Sequence, residues 1–267
     1  MRKYSGMLAV MIGVLVWVGA ASATAAVVGK DVEYLVQGAT MKSYLAYDAD
    51  SKDRRPGVMV VPEWWGINDY VRKRARMLAE LGYIALAVDM YGGGRQAATA
   101  EEAGKLSSKV MSDFASAPAA FKGGMDFLKG QPGVDPNRIA AIGYCFGGGV
   151  VLNMARQGAS LRGVVSFHGG LTAATSVKPD GVTAKILVLT GDDDPLVPRE
   201  QVNAFEKEMR GAGADFRVVS YPGAKHSFTN PDADALGKKF NLPVAYNAEA
   251  DTKSWAEMKA FLKTIFA

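Results

Sequence analysis

The chain of 267 residues has a single cysteine and two histidines, so few side chains are available for thiol or imidazole chemistry. One cysteine, Cys145, excludes an internal disulfide. With only His168 and His226 beside it, no close His/Cys pair has the spacing of a zinc site, and no metal or other cofactor is expected. The sequence also lacks a strong excess of one charge: 31 Lys and Arg against 27 Asp and Glu give a formal +4. Without a block of basic residues a phosphate-tracking surface is not expected, so nucleic acid is excluded as a partner. There is no internal repeat, low-complexity linker or composition shift to mark a second domain. Hydrophobic residues make up 49% and charged residues 22%, the balance of a soluble globular chain rather than a disordered or membrane-embedded one. The length suits one large domain with a sizeable core, expected to act as a monomer.

The long apolar run that is present lies at the N-terminus. Arg2 and Lys3 precede an uninterrupted apolar-plus-Gly stretch from Met7 to Val18, followed by Ala21-Ser22-Ala23 and Ala23-Thr24-Ala25. This is the pattern of a bacterial-type signal peptide over residues 1–25, cleaved after Ala23, Ala25 or Ala26. The run is short of the roughly 20 apolar residues of a membrane span. The expectation is a periplasmic or secreted protein with no stable membrane insertion after cleavage. Residues 26–267 then form the mature domain. A lone thiol in an oxidising compartment is either buried and inert or put to use.

After the signal, short apolar runs alternate with amphipathic stretches. Strands are predicted at 34–35, 42–46, 57–61, 84–88, 139–143, 163–167, 186–190 and 216–221. Helices are predicted over 69–81, 100–109, 114–129, 148–156, 199–212 and 253–266. Continuous Val/Ile/Leu runs alternating with helices predict an α/β fold, with a mostly parallel central sheet of about eight strands and helices on both faces. The first two strands have no helix between them and are expected to form an antiparallel hairpin. The polar, Pro-containing stretch 231–247 reads as a surface excursion. In such sheets ligands sit outside the carboxyl ends of the strands, so chemistry is sought just after strand runs.

Three such places carry reactive residues. Gly143-Tyr144-Cys145-Phe146-Gly147 follows an apolar strand and precedes a helix. This is the nucleophile-elbow pattern, with Cys in place of Ser. The sharp turn needs glycine on both sides, and it lifts the sulfur to the start of a helix, where unpaired N–H groups attract negative charge. A phosphate loop of the Walker type is excluded, because Gly149-Val150-Val151 stands where Lys-Ser/Thr is required. The second place is the turn holding Asp192, Asp193 and Asp194 after a strand. Asp192 and Asp193 suit a turn by themselves, leaving Asp194 as the orienting acid. The third is His226, after the last strand, completing the order nucleophile, acid, histidine. No Ser has a G-x-S-x-G context. His168 also follows a strand, but too early in the order for the base, and is assigned to the pocket lining or to structure. The backbone N–H groups of Phe146 and Trp64 are the expected oxyanion donors.

These residues together resemble the dienelactone hydrolase family of α/β-hydrolases over about residues 30 to 267. The resemblance is carried by Pro62-Glu63-Trp64-Trp65-Gly66-Ile67-Asn68, Asp89-Met90-Tyr91, Gly143-Tyr144-Cys145-Phe146-Gly147-Gly148, Asp194-Pro195-Leu196-Val197-Pro198 and His226-Ser227-Phe228. It implies the α/β-hydrolase fold, a Cys145–His226–Asp194 triad, and a Glu63 that contacts the resting thiol and helps switch it to the thiolate. The substrate pocket is expected to include Trp65, Tyr91, Arg95 and His168, with packing the alternative for the tryptophan. The family also holds a substrate carboxylate with two arginines, one shortly after the Asp-x-Tyr segment and one just after His-Ser-Phe. Here three glycines separate Tyr91 from Arg95, and Thr229 and Asn230 follow Phe228. The expected substrate is a small lactone or activated ester; a general carboxylesterase and a non-catalytic thiol-bearing binding protein are the alternatives.

Overall fold

The computed structural model describes residues 1, 26–112, 117–174, 177 and 179–267. The expected signal segment, apart from Met1, lies outside the described residues, and so do the cleavage options after Ala23 and Ala25. Eight strands form one sheet: β1 (Val27–Val36), β2 (Ala39–Asp48), β3 (Arg55–Val61), β4 (Ile84–Ala87), β5 (Val134–Tyr144), β6 (Gly163–Phe167), β7 (Lys185–Gly191) and β8 (Phe216–Tyr221). Their order is β1-β2-β4-β3-β5-β6-β7-β8. β1 and β2 form an antiparallel hairpin, and β2 joins β4 antiparallel; every pairing from β4 to β8 is parallel. The hairpin turns through Gln37 and Gly38, both at positive φ, as a tight two-residue turn requires. It extends the first strand well beyond the expected 34–35.

Among the described residues there are seven helices: α1 (Asp69–Glu80), α2 (Ala100–Ser112), α3 (Ala117–Lys129), α4 (Phe146–Arg156), α5 (Arg199–Gly211), α6 (Ala233–Phe240) and α7 (Ala248–Ile265). Alternation along the strands divides the core in two. Val58 and Val60, Ala140 and Ile142, and Leu187 and Leu189 face α1 and α7. Met59 and Val61, Ile139 and Ala141, and Ile186 and Val188 face α3, α4 and α5. The period of two along each strand therefore sorts side chains to opposite faces. α1 answers with Val71, Ala75 and Leu78 at helical spacing, and Asn68 caps it by accepting the Val71 N–H at 3.2 Å. α6 was not expected; it lies within the stretch read as a surface excursion.

Register decides where the strands end. Val61 pairs with Gly143, Tyr144 with Phe167, Phe167 with Leu189, and Gly191 with Tyr221. The residues that follow these ends (Glu63, Cys145, His168, Asp194 and His226) consequently emerge along one edge of the sheet. The chain leaves β3 toward β4 and returns to β5 on its other side. That reversal opens a crevice between the loops after β3 and β5.

Phe121 of α3 is completely buried in the larger core. Phe121→Ala is expected to cost about 3–5 kcal/mol of stability, seen as a lower urea midpoint with an unchanged slope.

Candidate active site

The turn after β5 brings Cys145 to φ 51° and ψ −116°, a backbone conformation that costs a non-glycine residue about 1–3 kcal/mol. Its neighbours make the turn possible. A Cβ on Gly143 would lie 2.1 Å from the Gly147 oxygen, and one on Gly147 would lie 2.2 Å from the Val61 oxygen. Only glycine lets α4 start this close to β3 and β5. Cys145 is the N-cap of α4, yet its side chain caps nothing, so the half-buried sulfur is left free. The Phe146 N–H opens the helix, where no intrahelical acceptor exists.

The Cys145 N–H is itself held twice. It donates to the Phe167 oxygen at 3.0 Å and to Nδ1 of His168 at 3.2 Å. A backbone N–H can only donate, so Nδ1 accepts and the neutral ring carries its proton on Nε2. Nε2 meets Thr229 Oγ1 at 2.7 Å, and that hydroxyl meets the Tyr70 hydroxyl at 2.6 Å. Burial, with His226 and Arg74 adding to it, holds the His168 pKa well below its ordinary value. His168 is thus fully buried beneath the elbow. Its place is structural, not in the cavity lining, because both ring nitrogens are consumed by the fold. Arg74 of α1 completes this layer by donating to the Thr229 carbonyl at 2.5 Å and to Asp251 of α7 at 2.6 Å.

Backbone bonds tie the acid turn to the histidine turn: the Asp192 N–H reaches the Tyr221 oxygen and the Asp193 N–H the Ala224 oxygen, both at 3.0 Å. Asp194 Oδ1 accepts the N–H groups of Leu196 and Val197 at 2.8 and 3.2 Å. Its Oδ2 is left for Nδ1 of His226, 2.8 Å away. The opposite nitrogen, Nε2, is buried and meets no partner with full hydrogen-bond geometry, although the Cys145 sulfur is near enough to act on the ring's charge. Burial opposes an imidazolium here, but the Cys145 sulfur and the Asp194 carboxylate together raise the His226 pKa from 6.5 to about 10.

Glu63 occupies a different place from the one expected. Its Oε1 accepts from the Ser227 hydroxyl at 2.9 Å and its Oε2 from the Asn230 side-chain amide at 2.7 Å. Among the described residues no hydrogen bond joins it to Cys145. Burial raises its pKa from the ordinary value, against the lowering effect of those two donors, His226 and Arg74. Glu63 therefore braces the loop that carries His226. The sequence contains Ser227 and Asn230 beside His226, but their pairing with a residue 164 and 167 positions away has no local signature.

Cys145 and His226 open into one cavity of about 460 Å³. Its lining includes Trp64, Trp65 and Phe146, Leu196 and Val197, and Leu236 of α6 with Leu242, Pro243 and Val244. No backbone hydrogen bond among the described residues uses the Trp64 N–H, while the Trp64 carbonyl accepts the Tyr91 hydroxyl at 2.9 Å. Of the expected pocket residues, Trp65 lines this cavity. Tyr91 and Arg95 do not: they border a separate one of about 210 Å³. Tyr91 stacks on Phe146 from behind, and the Arg95 guanidinium is spent on the Tyr91 and Gly92 carbonyls. The α6 contribution was missed, although Ala233, Leu236 and Phe240 have helical apolar spacing that could have revealed it. Phe240 packs on Trp65 with ring centroids 5.4 Å apart.

Comparison with known proteins agrees with this architecture. The model of the dienelactone hydrolase family matches residues 41–266. A provisionally named carboxymethylenebutenolidase of Escherichia coli is 28% identical over 250 residues, covering 85% of this chain and 83% of that protein. Among solved structures, one described as m3DLH is 37% identical with a TM-score of 0.84, covering 91% of this chain and 100% of its own. A dienelactone hydrolase-like promiscuous phosphotriesterase from metagenomic libraries is 35% identical with a TM-score of 0.83, covering 90% and 99%. The eight-stranded, mostly parallel sheet with helices on both faces is the α/β-hydrolase fold.

Folding raises the His226 pKa, so the stability its proton confers is complete below about pH 6.5 and is lost as pH rises through about 10. The stability advantage of the native chain over His226→Gln, from urea unfolding, is expected to shrink between those values. A gap that stays constant with pH would contradict the charge state assigned to His226.

Proposed function

The chain belongs to the dienelactone hydrolase family, and from that premise we propose that it hydrolyses lactones or activated carboxylic esters through a Cys145–His226–Asp194 triad. The observation that carries this reading is the meeting of the elbow sulfur with a histidine held 2.8 Å from a buried carboxylate, at one apolar cavity. The Cys145 thiolate attacks the ester carbonyl. The developing oxyanion is received by the N–H groups of Phe146 and Trp64, donors already fixed by the helix start and by the loop after β3. His226, protonated and held by Asp194, gives its proton to the departing alkoxide or enolate. It then takes a proton from water, which attacks the thioester and frees Cys145.

The leaving group sets the chemistry. A thiolate leaves a tetrahedral intermediate more readily than an ordinary alkoxide, so an intermediate with a poor leaving group collapses back to substrate. Enol lactones and aryl esters, whose departing oxygen is stabilised, go forward; amides do not. A second reading, cleavage of aryl phosphotriesters by the same thiol, draws on the 35% identical phosphotriesterase neighbour. It predicts a burst of p-nitrophenol from paraoxon that Cys145→Ala abolishes.

We also propose export, on the strength of the N-terminal pattern. N-terminal sequencing of the protein from a bacterial periplasmic fraction should begin after Ala23, Ala25 or Ala26, and a start at Met1 would refute it.

The purified mature chain should hydrolyse p-nitrophenyl acetate, with a thioester adduct on Cys145 visible by mass spectrometry. Cys145→Ala should lower kcat/KM by about 10³-fold or more. An unchanged rate in that variant would sink the assignment of the nucleophile.

A further inference from the structure

Resting on the ester-hydrolase reading above, we propose that the site selects substrates uncharged on both sides of the scissile bond, and that lactones or esters bearing a free carboxylate are poor substrates. The cavity walls beyond the reacting groups are mainly apolar: Trp64, Trp65, Phe146, Leu196, Leu236 and Val244. Among the described lining residues the polar side chains are Cys145, His226, Ser227 and Thr172, with no lysine or arginine. A carboxylate drawn into such a space gives up its hydration without gaining a cation.

The charges just behind the wall have the wrong sign for an anion. Glu63 is buried, and its Oε1 binds the hydroxyl of Ser227, which lines the cavity. Asp194 is buried behind His226. The ring of His226 reaches the cavity, with Nδ1 bound to Asp194 and the opposite nitrogen on the side of the Cys145 sulfur that it serves. Two arginines around the site, Arg95 and Arg74, are directed elsewhere. Arg95 is turned onto the Tyr91 and Gly92 carbonyls beside the smaller cavity. Arg74 is buried against Asp251 and the Thr229 carbonyl. The side chain of Thr229 is itself occupied between His168 and Tyr70.

The test compares mono-p-nitrophenyl adipate with its ω-methyl ester, which has the same length and leaving group but no charge. Rates are corrected for each ester's spontaneous hydrolysis. The methyl ester is expected to have a kcat/KM at least ~100-fold higher. Leu196 is about half exposed at the cavity mouth, at 49% of its surface, where an arginine head can reach water. Leu196→Arg should narrow the ratio by ~10-fold or more, through better use of the anionic ester. Equal rates for the two esters, or a preference for the anion, would overturn the inference while leaving the ester-hydrolase reading intact. A ratio that Leu196→Arg does not move would also count against it. If neither ester acylates Cys145 by mass spectrometry, the ester-hydrolase reading fails, and this inference with it.

Discussion

The backbone of Cys145 at positive φ is the constraint on which the rest of the site depends. A cysteine adopts that conformation only if something holds it there, and the hold is supplied by close packing. Gly147 lies against the end of β3 and Gly143 against the first turn of α4, each so near that a methyl group would collide. The N–H of Cys145 is claimed by the neighbouring strand and by the ring of His168. Once the turn is set, the sulfur stands over the sheet edge and the first N–H of α4 points where charge can develop.

Around that turn the interior is polar to an unusual depth, and each polar group has a task. His168, Thr229, Tyr70 and Arg74 form a layer beneath the elbow that also grips the loop after His226. Glu63 grips the same loop through Ser227 and Asn230. The loop carrying the proposed base is thus clamped through a backbone carbonyl and three side chains, and its ring is fixed by Asp194. Burying Arg74 and Glu63 is costly, and the cost is met by charge-assisted bonds to Asp251 and the Thr229 carbonyl for one, and to Ser227 and Asn230 for the other. What the fold gains is a histidine whose position does not need to reorganise during reaction.

The cavity shows the opposite economy. Its far wall comes from α6 and the segment after it, where Leu236, Leu242, Pro243 and Val244 cover the reacting groups. That segment is tied back by the Ala245 N–H on the His226 carbonyl and the Asn247 N–H on the Phe228 carbonyl. The same loop that positions the imidazole therefore positions the apolar wall, and the chemistry of the site and its preference for substrate are mechanically linked.

Much of this was legible in the chain. The parallel core strands are apolar runs with a period of two, and the elbow is a five-residue pattern whose glycines report a backbone conformation; both are local consequences of sterics and burial. The chain order Cys145, Asp194, His226 was legible too, as was the turn context of each. Less legible were features that depend on partners far away in sequence. Residues 27–33 pair along β2 only because a two-residue turn at Gln37 and Gly38 aligns them. α6 hid in a polar stretch because half of its surface faces water. Glu63 read as a thiol contact, Tyr91 and Arg95 as pocket walls, and His168 as either wall or structure. None of these placements can be read from neighbours in the sequence, since each turns on which hydrogen-bond partner packing brings within reach. The sequence by itself determined the fold class, the strained turn and the residue types at the strand ends, because those follow from local conformation and hydrophobic pattern. Tertiary packing alone decided which carboxylate braces which loop, which arginines face away, and that the cavity has an apolar wall.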